Sequence, residues 1–161
     1  MQQHLLFDTQ LISKYDVSGP RYTSYPTAPP FSADFDEQAY RTSIAESNGD
    51  FLARPLSVYI HIPSCNPVCF YCGCNKVVTK DRSKGVDYLI RLHQEIAMQA
   101  EMFDGDRTVE QIHLGGGTPT FISDAQLAAL MNELHKHFPI APDDVGEYSI
   151  EIDPREANRE T

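Results

Sequence analysis

The sequence predicts an α/β fold in which parallel strands alternate with helices, preceded by an extended N-terminal arm. Short apolar runs alternate with longer segments whose apolar residues recur at helical spacing. The first part of the chain is instead rich in proline and turn-forming residues. Chemically reactive residues directly follow the apolar runs, and in parallel sheets functional sites lie at the carboxyl ends of the strands.

The extended arm is predicted to span residues 1–54. Its proline-containing segments, 18–20 and 26–30, disfavour helix and favour turns or polyproline conformations. Residues 55–161 are predicted to form the remaining domain, because a chain of 161 residues supports a single hydrophobic core.

Strands and helices are predicted to alternate after the arm. A strand at 57–62 ends before Pro63, and an amphipathic helix follows at 84–103. The apolar stripe of that helix consists of Val86, Leu89, Leu92, Ile96, Ala100 and Phe103. A second strand at 109–114 leads into three glycines.

A capping box of Ser123 and Gln126 predicts the start of a second helix, which Pro139 ends. A third strand follows at 147–152. The order strand, helix, strand, helix, strand predicts neighbouring parallel strands with the helices on one side.

Composition narrows the classes of partner and compartment. The formal net charge is −10 and no cluster of Lys and Arg is present, which argues against nucleic acid as a partner. No segment approaches the length of a membrane span, so we expect a cytoplasmic protein without a membrane partner. All four cysteines lie within residues 65–74, too close together to form a disulfide framework. Their spacing indicates a shared inorganic centre instead.

Two kinds of centre are compatible with these thiols. A zinc site would need Cys74 or a distant histidine as its fourth ligand. A 4Fe–4S cluster on Cys65, Cys69 and Cys72 would leave one iron open to a substrate. Gly115–Gly117 could then bring bare backbone close to a ligand on that iron, although three glycines after a strand also form ordinary tight turns.

The pattern Cys65-x3-Cys69-x2-Cys72, with Tyr71 before the last cysteine, resembles the signature of the radical S-adenosylmethionine superfamily. The resemblance implies that the domain is the start of a partial parallel (β/α) barrel. It also implies that the open iron chelates S-adenosylmethionine, which an electron cleaves to methionine and a 5′-deoxyadenosyl radical. Gly115–Gly117 would line the methionine moiety, and Glu151 would bind the ribose or methionine end.

Further motifs resemble the oxygen-independent coproporphyrinogen III oxidases. They are Arg21–Pro26, Tyr59–Pro63, Cys72–Lys76, Gly115–Thr120 and Glu151–Glu156. The haem-chaperone branch of the superfamily is the alternative, but it typically lacks the first of these motifs and the fourth cysteine. The resemblance implies oxidative decarboxylation of coproporphyrinogen III to protoporphyrinogen IX, in haem biosynthesis.

The same resemblance implies roles for individual residues, including contacts with a second S-adenosylmethionine. Tyr59 and Gly116 would touch the first molecule, whereas Tyr71, Gly117 and Thr118 would touch the second. Tyr59 and His61 are the candidate catalytic residues, although His61 could simply be packed in its strand. The candidate substrate contacts are Arg21, which could instead pin the arm, and Cys74, which could instead fill space beside the cluster. His93, His113, His135 and His137 are interpreted as ordinary helix or strand residues.

The resemblance also implies an electron donor of low potential, which the sequence does not identify. The family's body is longer than this chain, so we expect a fragment that does not turn over coproporphyrinogen by itself. An iron–sulfur module that only transfers electrons, and a structural zinc protein, remain the alternative classes.

Overall fold

The computed structural model describes residues 8–16, 32–52, 54–66, 68–70 and 72–155. The chain divides into two compact units, Met1–Asp36 and Glu37–Thr161. The first unit contains helix α1 (Thr9–Tyr15), whose N-terminus is capped by Asp8. The Asp8 carboxylate accepts hydrogen bonds from the backbone of Gln10 and Leu11, which satisfies two amides that have no partner within the helix.

The second unit alternates strands and helices. Its elements are α2 (Glu37–Asn48), β1 (Leu56–Ile62), β2 (Ser64–Cys65), β3 (Val77–Val78), α3 (Ser83–Ala100), β4 (Val109–Gly116), a 3-10 turn (Pro119–Phe121), α4 (Asp124–His137) and β5 (Glu147–Ile150). The capping box predicted at Ser123 and Gln126 is present at the start of α4.

The central sheet has the strand order β1-β4-β5, and both pairs are parallel. This arrangement confirms the predicted α/β class with neighbouring parallel strands. Because all three strands run the same way, their carboxyl ends meet at one edge of the sheet.

One face of the sheet carries the hydrophobic core, and both long helices pack against it. Ile60 and Ile62 point from β1 into a cluster with residues of α3, β4 and α4. The core cluster consists of Ile60, Ile62, Leu89, Leu92, Ile96, Val109, Ile112, Leu114, Ile122, Leu130, Leu134 and Phe138. Val86 was predicted to belong to the stripe of α3, but its side chain is 47% exposed. Side chains alternate along a strand, so Tyr59 and His61 lie on the opposite face of β1.

Helix α2 lies within the segment predicted to be extended. The guanidinium of Arg107 ties the end of α2 to the chain before β1 by donating to the carbonyls of Ser47 and Arg54 and to the Asn48 side chain. Only Ile44 of this helix is buried, so the sequence shows no apolar stripe there. The second compact unit begins at Glu37 and therefore includes α2.

None of the helices formed by the described residues is both long enough and apolar enough to cross a membrane.

Candidate functional site

The cysteine loop is closed at its base by a short parallel ladder. After β1 the chain passes Pro63 into β2, and β3 returns beside β2. The Val77 amide donates to the Pro63 carbonyl at 2.8 Å, and the Thr79 amide donates to the Cys65 carbonyl at 3.0 Å. Both ends of the loop at 66–76 are thereby fixed to the end of β1.

The four free thiols of this region differ in their exposure to solvent. Cys65 lies in β2 and is only 4% exposed, whereas Cys69 and Cys72 are half-buried. Cys74 is exposed.

Two of these thiols have opposite ionisation tendencies. A hydrogen bond from the Cys74 backbone amide lowers the pKa of Cys72, and Lys76 lowers it further. Burial raises the pKa of Cys65, and the neighbouring Cys72 adds to that effect. The thiolate is the form that binds metal, and the surroundings favour it at Cys72 and disfavour it at Cys65.

The three thiols suit a cluster that binds each sulfur at a different iron. Among the described residues, no three Cys, His, Asp or Glu side chains converge as ligands of a single metal ion. An iron–sulfur cluster does not need such convergence, because each cysteine binds its own iron. The donor set of Cys65, Cys69 and Cys72 therefore fits a 4Fe–4S cluster by its chemistry.

A cavity of about 610 Å³ lies between the cysteine loop and the carboxyl ends of β4 and β5. Its volume falls in the range of ~300–1,000 Å³ that is usual for small-molecule sites. The described residues that line it are Val68, Cys69, Phe70, Cys72, Gly73, Cys74, Gly116, Gly117, Thr118, Pro119, Glu151, Ile152, Asp153, Pro154 and Arg155. The cavity thus joins two of the predicted cluster ligands to the glycine backbone and Glu151.

On the strand side of the cavity, Glu151 is held by the glycine turn. The Gly116 amide donates to Glu151 Oε2 at 3.1 Å, and the Glu151 amide donates to the Leu114 carbonyl at 2.9 Å. The other carboxylate oxygen, Oε1, lies 3.6 Å from His113 Nε2.

A chain of hydrogen bonds connects β1 to the cysteine loop. His61 Nε2 donates to the Asn75 carbonyl at 2.8 Å, because a carbonyl oxygen can only accept. In the neutral imidazole, His61 Nδ1 then accepts from the Tyr59 hydroxyl at 2.9 Å. Burial raises the pKa of Tyr59, and the charge of nearby Glu151 raises it further.

The cavity collects many of the predicted site residues. Cys69, Cys72, Cys74, Gly116, Gly117, Thr118 and Glu151 line it. Cys65 lies in β2 at the base of the loop. Gly115 packs closely against Tyr59, because a Cβ on Gly115 would lie only 3.1 Å from the Tyr59 ring and hydroxyl. Tyr59 and His61 form the hydrogen-bond chain just described. Tyr71 and Arg21 lie outside the described residues.

Sequence reasoning overlooked two features of this region. His113 stacks on Tyr59 and contacts both Ser149 and Glu151. His113 lies between two buried residues of β4, so its side chain points to the opposite face, which is also the face of Tyr59. This alternation is the sequence signal that could have identified His113. Arg155 Nη2 donates to Asp153 Oδ2 at 2.7 Å and lies 4.0 Å from the Cys69 sulfur. The Asp153 carboxylate raises the pKa of Arg155 by pairing with it.

Comparison with known proteins identifies the family. The pattern of the radical SAM superfamily matches residues 59–158. The chain is 47% identical over 161 residues to an oxygen-independent coproporphyrinogen III oxidase of Pseudomonas aeruginosa, covering 100% of this chain and 35% of that protein. It is 45% identical over 150 residues to one from Mannheimia haemolytica, covering 93% of this chain and 98% of that protein.

A solved structure of coproporphyrinogen III oxidase from Escherichia coli, described as a radical SAM enzyme, superposes with a TM-score of 0.75. The two sequences are 47% identical, and the match covers 94% of this chain and 32% of the Escherichia coli chain. The chain thus spans about a third of the length of the Pseudomonas and Escherichia coli proteins. It belongs to the radical SAM superfamily, and within it to the family of the oxygen-independent coproporphyrinogen III oxidases.

Proposed function

We propose that this chain binds a 4Fe–4S cluster on Cys65, Cys69 and Cys72 and cleaves S-adenosylmethionine there, as part of the oxygen-independent decarboxylation of coproporphyrinogen III to protoporphyrinogen IX. Membership of the radical SAM superfamily implies both the cluster and S-adenosylmethionine. When bound, the cluster supplies the electron that splits the sulfonium into methionine and a 5′-deoxyadenosyl radical.

The cavity between the cysteine loop and the strand ends is the observation that carries this proposal. Cys69 and Cys72 line it together with Gly116, Gly117 and Glu151, which supports the proposal. A ligand bound at the cysteine loop would therefore face hydrogen-bonding groups on the sheet edge.

Glu151 suits the recognition of S-adenosylmethionine. An ionised carboxylate accepts hydrogen bonds from hydroxyl or ammonium groups, and S-adenosylmethionine carries both, on its ribose and on its methionine end. The Gly116 amide fixes one carboxylate oxygen at 3.1 Å, so the orientation of Glu151 is set before the ligand arrives.

Tyr59 and His61 are proposed to act together beside the first S-adenosylmethionine. His61 uses both ring nitrogens within the chain, on Tyr59 and on the Asn75 carbonyl. Its part is therefore to orient the Tyr59 hydroxyl and to tie β1 to the cysteine loop, while Tyr59 and Gly116 contact the ligand.

A second S-adenosylmethionine is proposed to contact Tyr71, Gly117 and Thr118. Gly117 and Thr118 line the same cavity as the cluster ligands, which supports a ligand position adjacent to the first. Cys74 also lines the cavity and is proposed as a substrate contact, as is Arg21. An electron donor of low potential completes the proposed set of partners, with porphyrinogen as the substrate.

The first experiment measures S-adenosylmethionine cleavage by the anaerobically reconstituted, reduced chain. We expect methionine and 5′-deoxyadenosine to form, and we expect Cys69→Ser to abolish both products. Cys74→Ser is the matched control in the same loop and should retain cleavage. Full iron and sulfide content without any cleavage would contradict the proposal and favour an electron-transfer module.

The substrate is tested separately with a chimera. This chain replaces the matching third of the Escherichia coli enzyme. We expect the chimera to form protoporphyrinogen IX from coproporphyrinogen III. A folded chimera that cleaves S-adenosylmethionine but leaves coproporphyrinogen III unchanged would contradict the substrate and favour the haem-chaperone branch.

A further inference from the structure

Three polar side chains form a straight row across the open face of the sheet. Tyr59 of β1 pairs in register with His113 of β4, which pairs in register with Ser149 of β5. His113 is the central member of this row and lies three residues before Gly116, which lines the cavity.

His113 contacts groups on both neighbouring strands. Its ring stacks on Tyr59 with centroids 5.6 Å apart and an interplanar angle of 16°. Its Nδ1 lies 2.7 Å from the Ser149 hydroxyl oxygen, and its Nε2 lies 3.6 Å from Glu151 Oε1.

Gly115 makes this arrangement possible. A Cβ on Gly115 would lie 3.1 Å from His113 Nε2 and equally close to the Tyr59 hydroxyl. Without that Cβ, the His113 imidazole and the Tyr59 phenol share the space above Gly115. The glycine therefore has a packing role in addition to any contact with a ligand.

We propose that His113 is a positioning residue for S-adenosylmethionine binding, and this inference rests on the proposed function. The Ser149 hydroxyl donates to Nδ1, which places the imidazole proton on Nε2, facing Glu151. The Gly116 amide then binds one carboxylate oxygen at 3.1 Å, and the Nε2 proton of His113 faces the other oxygen across 3.6 Å. The stacked ring fixes Tyr59 at the same time.

Equilibrium binding of S-adenosylmethionine to the reconstituted chain tests the inference. We expect His113→Leu to weaken binding by about fivefold and Ser149→Ala by about twofold, because each loses one polar contact on the path to Glu151. His113→Gln keeps a donor near the position of Nε2 and should restore part of the loss. His135→Gln, on the exposed last turn of α4, should bind like the parent chain.

A double-mutant cycle separates positioning from a general structural effect. In the Glu151→Gln background, His113→Leu should change binding much less than it does alone, because its effect passes through the carboxylate. Additive losses, or unchanged binding in His113→Leu, would overturn the inference.

The tautomer gives a readout that needs neither cluster nor ligand. Nitrogen-15 NMR of the imidazole should show the proton of His113 on Nε2, and Ser149→Ala should weaken that preference. A proton on Nδ1 would overturn the inference even if His113→Leu fails to fold.

If the parent chain carries a full cluster but binds no S-adenosylmethionine, the proposed function itself fails. Loss confined to the His113 variants leaves the proposed function intact.

Discussion

At the scale of single residues, the glycines after β4 are dictated by close packing of the backbone. Gly116 adopts a φ of 119°, and a Cβ there would lie 2.7 Å from the Ile62 carbonyl oxygen. A Cβ on Gly117 would lie 2.5 Å from the Pro63 carbonyl oxygen. These contacts press the turn against the segment that leads into Cys65, so the glycines help to place a predicted cluster ligand.

Gly117→Ala should therefore damage both stability and cluster loading. Backbone oxygens cannot rotate away as side chains can, so Pro63 and Ser64 must shift. We expect the free energy of unfolding to fall by about 1–3 kcal/mol and the iron content after reconstitution to fall with it. Chemical denaturation and iron analysis measure the two effects.

Gly73→Ala provides the control within the cysteine loop, because a Cβ there meets nothing within 4 Å. It should retain parental stability and iron content. Equal stability of Gly117→Ala and the parent chain would contradict this account of the turn.

Glu151→Gln should make Tyr59 easier to ionise. Burial raises the pKa of Tyr59, and the charges of Glu151 and Cys74 raise it further. The folded pKa lies above the unfolded one, so stability from the protonated hydroxyl is present below the unfolded pKa and is lost as pH rises through the folded pKa. Removing the Glu151 charge should shift that loss to lower pH.

Phenolate absorbance during an alkaline titration measures this shift, with Tyr59→Phe identifying the contribution of Tyr59. Glu147→Gln, at the opposite end of β5, is the matched loss of one carboxylate. If both glutamine variants titrate alike, Glu151 does not act on Tyr59 as the geometry requires.

At the scale of elements, α2 is anchored by a buried cation rather than by an apolar stripe. Arg107 is only 5% exposed, and its guanidinium donates to Ser47, Asn48 and Arg54. The interaction closes the C-terminal end of α2, where helix carbonyls lack partners within the helix. The anchor lies far from α2 in sequence, on the approach to β4.

Arg107→Lys should loosen the C-terminal end of α2, because an ammonium cannot reproduce the planar fork of donors. We expect a loss of about 2–3 kcal/mol in the free energy of unfolding, together with reduced helical circular dichroism. Arg91→Lys, at an exposed position of α3, is the matched control. A chain with Arg107→Lys that unfolds like the control would show that α2 is held by other contacts.

Hydrophobic periodicity predicted the elements that bury a continuous apolar face. Strand β1, helix α3, strand β4 and helix α4 were all expected close to their observed positions. Helix α2 buries only Ile44 and therefore lacks the pattern that predicts a helix. The β2–β3 ladder is two residues long on each side, which is too short for an alternation to show.

The sequence predicted the site residues that belong to a motif. It did not predict those that are brought together only by the pairing of strands. The cysteine spacing and the glycines identified the two sides of the cavity. His113 became recognisable only once the register aligned it with Tyr59 and Ser149. Arg155 reaches Cys69 across 86 residues of sequence, a proximity that no local pattern encodes.

At the scale of the whole molecule, the second unit assigns different tasks to the two faces of its sheet. Helices α3 and α4 cover the face that carries Ile60 and Ile112. The other face carries Tyr59, His61 and His113 and leads to the cavity beside the cysteine loop. The residues that stabilise the fold and the residues of the candidate site therefore lie on different faces of the sheet. A polar substitution in the row of Tyr59, His113 and Ser149 should reduce the free energy of unfolding less than one in the core.

The function that we propose for this chain depends on a 4Fe–4S cluster that Cys65, Cys69 and Cys72 would hold and that would bind S-adenosylmethionine. It is tested most directly by electron paramagnetic resonance of the anaerobically reconstituted and reduced chain, with and without S-adenosylmethionine. We predict a reduced 4Fe–4S signal that changes when S-adenosylmethionine is added, in the parent chain and in Cys74→Ser alike. A signal that ignores S-adenosylmethionine, or a chain that binds zinc in place of a cluster, would contradict the claim.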